Sequence, residues 1–121
     1  MSAAVRFVVY GKPQGKQRPR LGKGGRVYTP KETKRYECAV AWAALGARPR
    51  TWSKAGRFVV EVTMYFPDLR RRDIDNVLKA ALDGMQGVLY EDDSQVVIAG
   101  AIKWLDRERP RTEVVVRRAE S

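Results

Sequence analysis

Residues 57–86, RFVVEVTMYFPDLRRRDIDNVLKAALDGMQ, carry the two clearest periodic patterns of the chain. From Arg57 to Phe66 every second side chain is apolar, which predicts a strand with one face in the core. The opposite face of this strand is also apolar enough to be partly covered. From Ile74 to Met85 the spacing becomes i, i+3, i+4, i+7, i+8 and i+11, which is typical of an amphipathic helix. That helix is expected to begin near Asp73 and to end before Gly87.

Further elements are predicted on both sides of this stretch. Three short runs rich in β-branched or aromatic residues predict strands at Val5–Tyr10, 96–105 and 112–118. Thr29 as the cap, Pro30 in the first turn and Glu32 three residues after the cap predict a helix from Pro30 to Leu45, which Gly46 would stop. Because helices and strands are interspersed, the 121 residues predict one α+β domain over residues 1–121, with a mixed sheet and two helices.

The charge of the chain indicates a polyanionic partner. Lys and Arg number 24 against 14 Asp and Glu, which gives a net charge of +10. The alternative is a generally basic surface, but the positive charge is clustered, which favours nucleic acid. One cluster is the triplet Arg70, Arg71 and Arg72. The other is a long loop over residues 11–28 with five glycines and six basic residues: Lys12, Lys16, Arg18, Arg20, Lys23 and Arg26.

Absent residue types exclude several classes of site. The chain has no histidine and one cysteine, Cys38. Triads that use histidine, histidine-ligated zinc and an internal disulfide are therefore excluded. No apolar run approaches the roughly 20 residues of a membrane-spanning helix, and the first residues lack a signal-peptide pattern. We therefore expect a cytoplasmic protein with no membrane contact.

Six carboxylates between Asp73 and Asp93 stand out in so basic a chain: Asp73, Asp75, Asp83, Glu91, Asp92 and Asp93. The first group allows a structural interpretation as a helix cap with exposed ion pairs, and the second as a polar surface turn. An EF-hand loop is excluded, since Val77 and Leu78 occupy its ligand and glycine positions. If the chain folds back after the helix, the two groups converge into an oxygen-only site of the kind that Mg²⁺ prefers.

Lys79 and three aromatic residues allow two interpretations each. Lys79 lies one turn after Asp75 and either places a cation near a phosphate or only screens that carboxylate. Tyr28, Trp52 and Trp104 either stack on bases or belong to the core. For Trp104, which lies in a predicted strand, the core is the expectation.

Three motifs together resemble the RusA family of Holliday-junction resolvases. They are RRRDIDNVLK at residues 70–79, LDG at 82–84 and YEDDSQ at 90–95. A second stretch, with GKP at 11–13 and KQRPR at 16–20, is similar to the basic N-terminal loop of that family, and YTP at 28–30 to the end of that loop. Outside these stretches, only length and element order agree.

The resemblance implies a homodimeric, Mg²⁺-dependent endonuclease, with Mn²⁺ as a substitute ion, of phage or prophage type. Such enzymes act in DNA recombination and repair and cut four-way junction DNA by paired symmetric nicks. Asp73 and Asp75 match the metal ligands of the family, Lys79 matches its essential lysine, and Asp93 matches its third catalytic carboxylate. Asp92 remains an alternative third ligand, because three acids stand in a row. The rival hypotheses are a junction-binding protein without catalysis and a basic RNA-binding protein.

Overall fold

The computed structural model describes residues 4–16, 20–28 and 30–119. In chain order its strands and helices are β1 Val5–Tyr10, β2 Arg20–Leu21, β3 Val27–Tyr28, α1 Lys31–Ala47, β4 Phe58–Phe66, α2 Ile74–Met85, β5 Val96–Leu105 and β6 Arg111–Arg118. Two short 3-10 turns occupy Lys23–Gly25 and Asp93–Gln95. The α+β class with two helices is confirmed.

Four strands form a mixed sheet in the order β1-β6-β4-β5. β6 pairs antiparallel with both β1 and β4, whereas β4 and β5 run parallel and are connected through α2. A parallel pair requires a crossover of this kind, because a tight turn can join only antiparallel strands. β2 and β3 form a separate small hairpin inside the basic loop.

The core lies between one face of the sheet and the two helices. Alternate residues of β4, from Phe58 to Phe66, are buried against α1 and α2. From α1 the core receives Tyr36, Val40 and Ala44, and from α2 it receives Val77, Ala80, Ala81 and Met85. The period-two and helical patterns of the sequence therefore predicted the buried face of both elements.

The first helix differs from its predicted bounds. It begins after Pro30, which is the cap residue instead of the first helical residue, and Thr29 lies outside the described residues. The helix continues through Gly46, so the expectation that this glycine stops it is wrong. It ends at Ala47 because Arg48 takes an extended conformation, as the residue before Pro49 is expected to do.

The expectation that Trp104 belongs to the core is also wrong. Trp104 is 58% exposed, because β5 is an edge strand and Trp104 lies opposite Tyr65 on the sheet face away from the helices. Trp52 is partly buried and packs against the core, whereas Tyr28 is exposed. No helix in the described part of the chain is long and apolar enough to cross a membrane.

Candidate active site

The start of α2 presents two of the predicted carboxylates. Asp73 is the cap residue, and its Oδ1 accepts a hydrogen bond from the backbone N–H of Asp75 at 3.0 Å. Both side chains are exposed. The cap uses one oxygen of Asp73, and a carboxylate has a second oxygen available for another ligand. The structural interpretation and the ligand interpretation of Asp73 are therefore compatible.

The segment after α2 turns back along the helix. Gly87, with φ of 84°, makes the reversal, and its N–H donates to the carbonyl of Tyr90 at 2.7 Å. The buried Tyr90 donates its hydroxyl proton to the carbonyl of Leu82 at 2.6 Å. Burial is the main cause that raises the pKa of Tyr90. These bonds fasten the returning chain to α2, so the chain does fold back along the helix.

Asp92 and Asp93 follow this reversal in a short 3-10 turn. Asp92 caps the turn by accepting from the N–H of Ser94, and Gln95 completes the capping box. The side-chain nitrogen of Gln95 also donates to the carbonyls of Lys54 and Gly56. Asp92 is exposed and Asp93 half-buried. Gln95 therefore anchors the turn to the connector before β4 and fixes where both acids lie.

Lys79 joins the two acidic groups. Its Nζ lies 2.8 Å from Asp93 Oδ2 and 3.2 Å from Asp83 Oδ1. The hydrogen bond to Asp93 is the main cause that raises the pKa of Lys79, and the same bond lowers the pKa of Asp93. Both groups are therefore charged at neutral pH, and the ammonium stands beside the returning carboxylate.

Asp83 makes one contact that its sequence spacing indicates, with Lys79, and one that it does not, with Lys16. Its second oxygen pairs with Lys16, whose Nζ also lies 3.5 Å from Glu37 Oε2. This pairing raises the pKa of Lys16, with the hydrogen bond to Asp83 as the main cause. The i,i+4 spacing signals the pair of Asp83 with Lys79, but no local pattern signals a partner 67 residues away.

The basic loop docks on the first turns of α2. The N–H of Lys16 donates to the carbonyl of Asn76 at 3.0 Å. A cleft of about 200 Å³ separates the loop from the helix, lined by Lys12, Pro13, Gln14, Gly15, Arg72, Asp73, Asn76 and Val77. Lys12 and Arg72 thus lie beside the carboxylate of Asp73. A phosphate that a cation bridges to Asp73 would have both positive side chains nearby.

The other predicted phosphate contacts fall into three groups. Lys23, Arg26, Arg70 and Arg71 are exposed. Arg72 is partly buried: its guanidinium pairs with Asp68 at 2.6 Å and stacks over the ring of Phe66. Arg18 and the side chain of Arg20 lie outside the described residues. Arg72 is therefore held in one orientation, in contrast to its two neighbours.

The predicted carboxylates fit a magnesium ion in donor type. All are hard oxygen donors, and Asp73, Asp75 and Asp92 are open to solvent. Mg²⁺ keeps several waters and takes few protein ligands. Across the described ranges, no three Asp, Glu or Cys side chains come together as a ready-made metal cage. The structure brings Asp93 to Lys79 and not into a cluster with Asp73 and Asp75.

Comparisons with known proteins give a family model and curated relatives that match this chain. The family model of the endodeoxyribonuclease RusA matches residues 10–117. The uncharacterized protein YqaN of Bacillus subtilis (strain 168) is 30% identical over 137 aligned positions, which cover 93% of this chain and 95% of that protein. The crossover junction endodeoxyribonuclease RusA of Aquifex aeolicus (strain VF5) is 33% identical over 72 positions, covering 58% of this chain and 56% of that protein.

Proposed function

The chain belongs to the RusA family of endodeoxyribonucleases, and on that premise we propose that it resolves four-way DNA junctions by paired symmetric nicks that require Mg²⁺. Family membership makes the chain a divalent-metal-dependent endodeoxyribonuclease that resolves Holliday junctions. Magnesium as the ion, a role in recombination and repair, a prophage origin and a cytoplasmic location are parts of the proposal. So is the organisation of residues 1–121 as one domain.

The observation that carries the assignment of the site is the contact of Lys79 with Asp93. These residues are 14 positions apart, and their pairing supports one active site made from both acidic groups. The reversal at Gly87 and the bond from Tyr90 to Leu82 support the same arrangement. A solvated surface turn would not need such anchors, so the geometry favours a built site over the structural alternative.

We assign the metal ligands to Asp73, Asp75 and Asp93, with Asp92 as the alternative third carboxylate. Asp73 and Asp75 lie at the solvent-exposed start of α2, and Asp93 arrives beside Lys79. A divalent cation held there supplies activation of water and neutralisation of charge on the phosphoryl oxygens. The oxygen-only donor set supports Mg²⁺, with Mn²⁺ as a substitute.

Lys79 acts on the phosphate side of the reaction in this proposal. Its side chain is 51% exposed, so the ammonium can reach a bound DNA strand. An ammonium near the scissile phosphate stabilises the negative charge that develops on the leaving oxygen. Asp83 also contacts this ammonium, and so holds the lysine on the side of α2 that faces Asp93.

The basic residues hold the DNA backbone. Lys12 and Arg72 line the cleft beside Asp73, and Arg70 and Arg71 are exposed immediately before it. We also assign phosphate contacts to Lys16, Arg18, Arg20, Lys23 and Arg26 of the basic loop. A four-way junction has twofold symmetry, so a homodimer would present one active site to each of two opposed strands.

The proposal is tested with a fluorescent synthetic four-way junction under single-turnover conditions. With Mg²⁺, wild type should give symmetric nicks, and Asp75→Asn should cleave at least about 100-fold more slowly, since even an outer-shell partner of a metal costs 10–100-fold. The matched control is Glu91→Gln, which removes the same charge from an exposed acid paired with Lys54. Its rate should stay within about twofold of wild type.

A second readout separates ligand loss from other defects. Binding of Mn²⁺, followed by electron paramagnetic resonance, should weaken in Asp75→Asn and not in Glu91→Gln. Full cleavage by Asp75→Asn would refute the ligand assignment. Wild-type protein that binds junctions but yields no product with Mg²⁺ or Mn²⁺ would instead support the rival hypothesis of a non-catalytic junction-binding protein.

A further inference from the structure

Lys16 belongs to the basic loop, but the backbone around it is fastened to α2. Its N–H donates to the carbonyl of Asn76 at 3.0 Å. The residue before it is Gly15, where an added Cβ would lie 3.3 Å from Asn76 Cβ. The loop and the helix are therefore in close contact at this point, which fixes where the side chain of Lys16 begins.

The ammonium of Lys16 contacts two carboxylates from different helices. It pairs with Asp83 Oδ2 on α2 and lies 3.5 Å from Glu37 Oε2 on α1. The Oε2 atom of Glu37 is buried and accepts no hydrogen bond within the described ranges. Burying a carboxylate oxygen is costly unless a positive charge lies close to it. The ammonium of Lys16 supplies that charge and is engaged by the protein itself.

Asp83 links this ammonium to the candidate active site. Lys79 and Asp83 lie four residues apart on one face of α2. The two oxygens of Asp83 are divided between two lysines, because Oδ2 contacts Lys16 and Oδ1 lies 3.2 Å from Lys79 Nζ. Lys79 Nζ in turn lies 2.8 Å from Asp93 Oδ2. The contacts form one continuous chain in which cations and carboxylates alternate: Lys16, Asp83, Lys79 and Asp93.

We propose that Lys16 is a positioning residue for catalysis, which occupies one side of Asp83 so that Lys79 faces Asp93 and the scissile phosphate. The inference rests on the proposed function, in which Lys79 stabilises charge on the phosphate. It gives Lys16 a role beyond the phosphate contact that we assign to the basic loop. Lys16 acts through Asp83 and touches no reacting atom.

The balance of charge predicts what happens when Lys16 is removed. Two ammonium groups serve three carboxylates in this chain of contacts: Glu37, Asp83 and Asp93. Without Lys16, the ammonium of Lys79 is shared by Asp83 and Asp93. Asp83 is the more buried of these two, with a side chain 17% exposed against 31%, and attraction is stronger where water is excluded. Loss of Lys16 should therefore draw Lys79 toward Asp83 and away from Asp93.

Single-turnover cleavage of the synthetic junction with Mg²⁺ separates this role from a phosphate contact. At saturating protein, Lys16→Met should cleave about tenfold more slowly, because a misplaced catalytic group slows the bound complex. Loss of a phosphate contact alone would weaken junction binding, measured without divalent metal, and leave the saturated rate unchanged.

Two further variants sharpen the cleavage test. Lys16→Arg keeps a positive charge between the two carboxylates and should restore the saturated rate to within about threefold of wild type. The matched control is Lys34→Met, which removes a positive charge from an exposed residue of α1. Its saturated rate should stay within about twofold of wild type.

A double-mutant cycle tests whether Lys16 acts through Asp83. If it does, the variant that combines Lys16→Met with Asp83→Asn should be about as slow as the slower single variant, about tenfold below wild type. Independent effects would multiply to about 100-fold, and that result would overturn the proposal. A saturated rate of Lys16→Met equal to that of wild type would overturn it as well.

The ¹H–¹⁵N signal of the Lys79 ammonium in the metal-free protein provides a readout that needs neither DNA nor activity. The signal is assigned by its loss in Lys79→Arg, and it should shift in Lys16→Met and not in Lys34→Met, because it depends on the carboxylates that the ammonium contacts. Circular dichroism establishes that each variant is folded. If Lys16→Met does not fold, Lys16→Gln removes the same charge from a polar side chain, and the same shift is expected.

Failure of this inference and failure of the proposed function are distinguishable. A wild type that does not cleave junctions with Mg²⁺ or Mn²⁺ would refute the proposed function, and the Lys79 signal would still decide whether Lys16 positions that ammonium. Normal saturated cleavage by Lys16→Met with an unmoved Lys79 signal would overturn the positioning role and leave the endonuclease assignment intact.

Discussion

At Gly84 helix α2 packs directly against α1, and we expect Gly84→Ala to destabilise the protein. A Cβ at this position would lie 2.8 Å from Val40 Cβ and 2.9 Å from the carbonyl oxygen of Glu37. Neither atom can rotate away, because one is a backbone atom and the other is bonded directly to the backbone. Overpacking costs about 1–3 kcal/mol, and here the upper end applies. Alanine returns about 1 kcal/mol of helix propensity, so the net loss is about 2 kcal/mol.

Urea unfolding of both proteins at one concentration measures this loss. With a slope of about 1–3 kcal/mol per molar for a small domain, the midpoint should fall by about 1 M. The control is Gly46→Ala, also inside a helix, where an added Cβ meets nothing within 4 Å. It should stabilise the protein by about 0.5–1 kcal/mol. If Gly84→Ala unfolds at the same or a higher urea concentration than wild type, the close approach of the helices is refuted.

Three further predictions concern other contacts. Burial raises the pKa of Tyr36 to about 12. The stability gained by burying its neutral hydroxyl is therefore complete below the pKa of the unfolded chain, near 10, and is lost as the pH rises from 10 to 12. Tyr36→Phe should flatten the urea midpoint across that range, and an unchanged slope would contradict this. Trp52→Phe removes the indole bond to the carbonyl of Leu89 and should cost about 1–2 kcal/mol in urea unfolding; an unchanged midpoint would show that the bond is not needed. Asp83→Asn should slow junction cleavage about tenfold through misplacement of Lys79, with Mn²⁺ binding retained; an unchanged rate would remove Asp83 from the positioning of that lysine.

Local patterns predicted the elements well because each carries its own signal. The alternation along β4 and the helical spacing of α2 are local properties, and the buried face of each element agrees broadly with them. The prediction that Gly46 ends α1 was wrong because the weak helix penalty of one glycine is not enough to stop a helix. The residue before Pro49 ended it. The prediction that Trp104 is buried failed for a different reason. An apolar strand residue is buried only where another element covers it, and the edge position of β5 is set by the topology of the sheet.

In the candidate site, too, some features follow from local sequence and others depend on how distant segments pack. Asp73 and Asp92 lie at turn starts, where aspartate is a favoured cap residue. This preference can be recognised in the sequence. The contact of Lys79 with Asp93 required the chain to reverse at Gly87, and the sequence allowed that reversal without requiring it. The pairing of Lys16 with Asp83 spans 67 residues. Only the docking of the loop on α2 produces that pairing, so no local pattern could predict it.

β6 lies between β1 and β4 although it is the last strand along the chain. Val5 pairs with Val116, so the ribosome must add roughly 100 residues, at about 5–20 residues per second, before β1 finds its partner. β1 thus stays unpaired for on the order of 5–20 s during synthesis. A ribosome that stalls before Arg111 releases a chain that cannot close its sheet. The four-stranded sheet against which α2 packs is therefore complete only after residues 111–118 have been made.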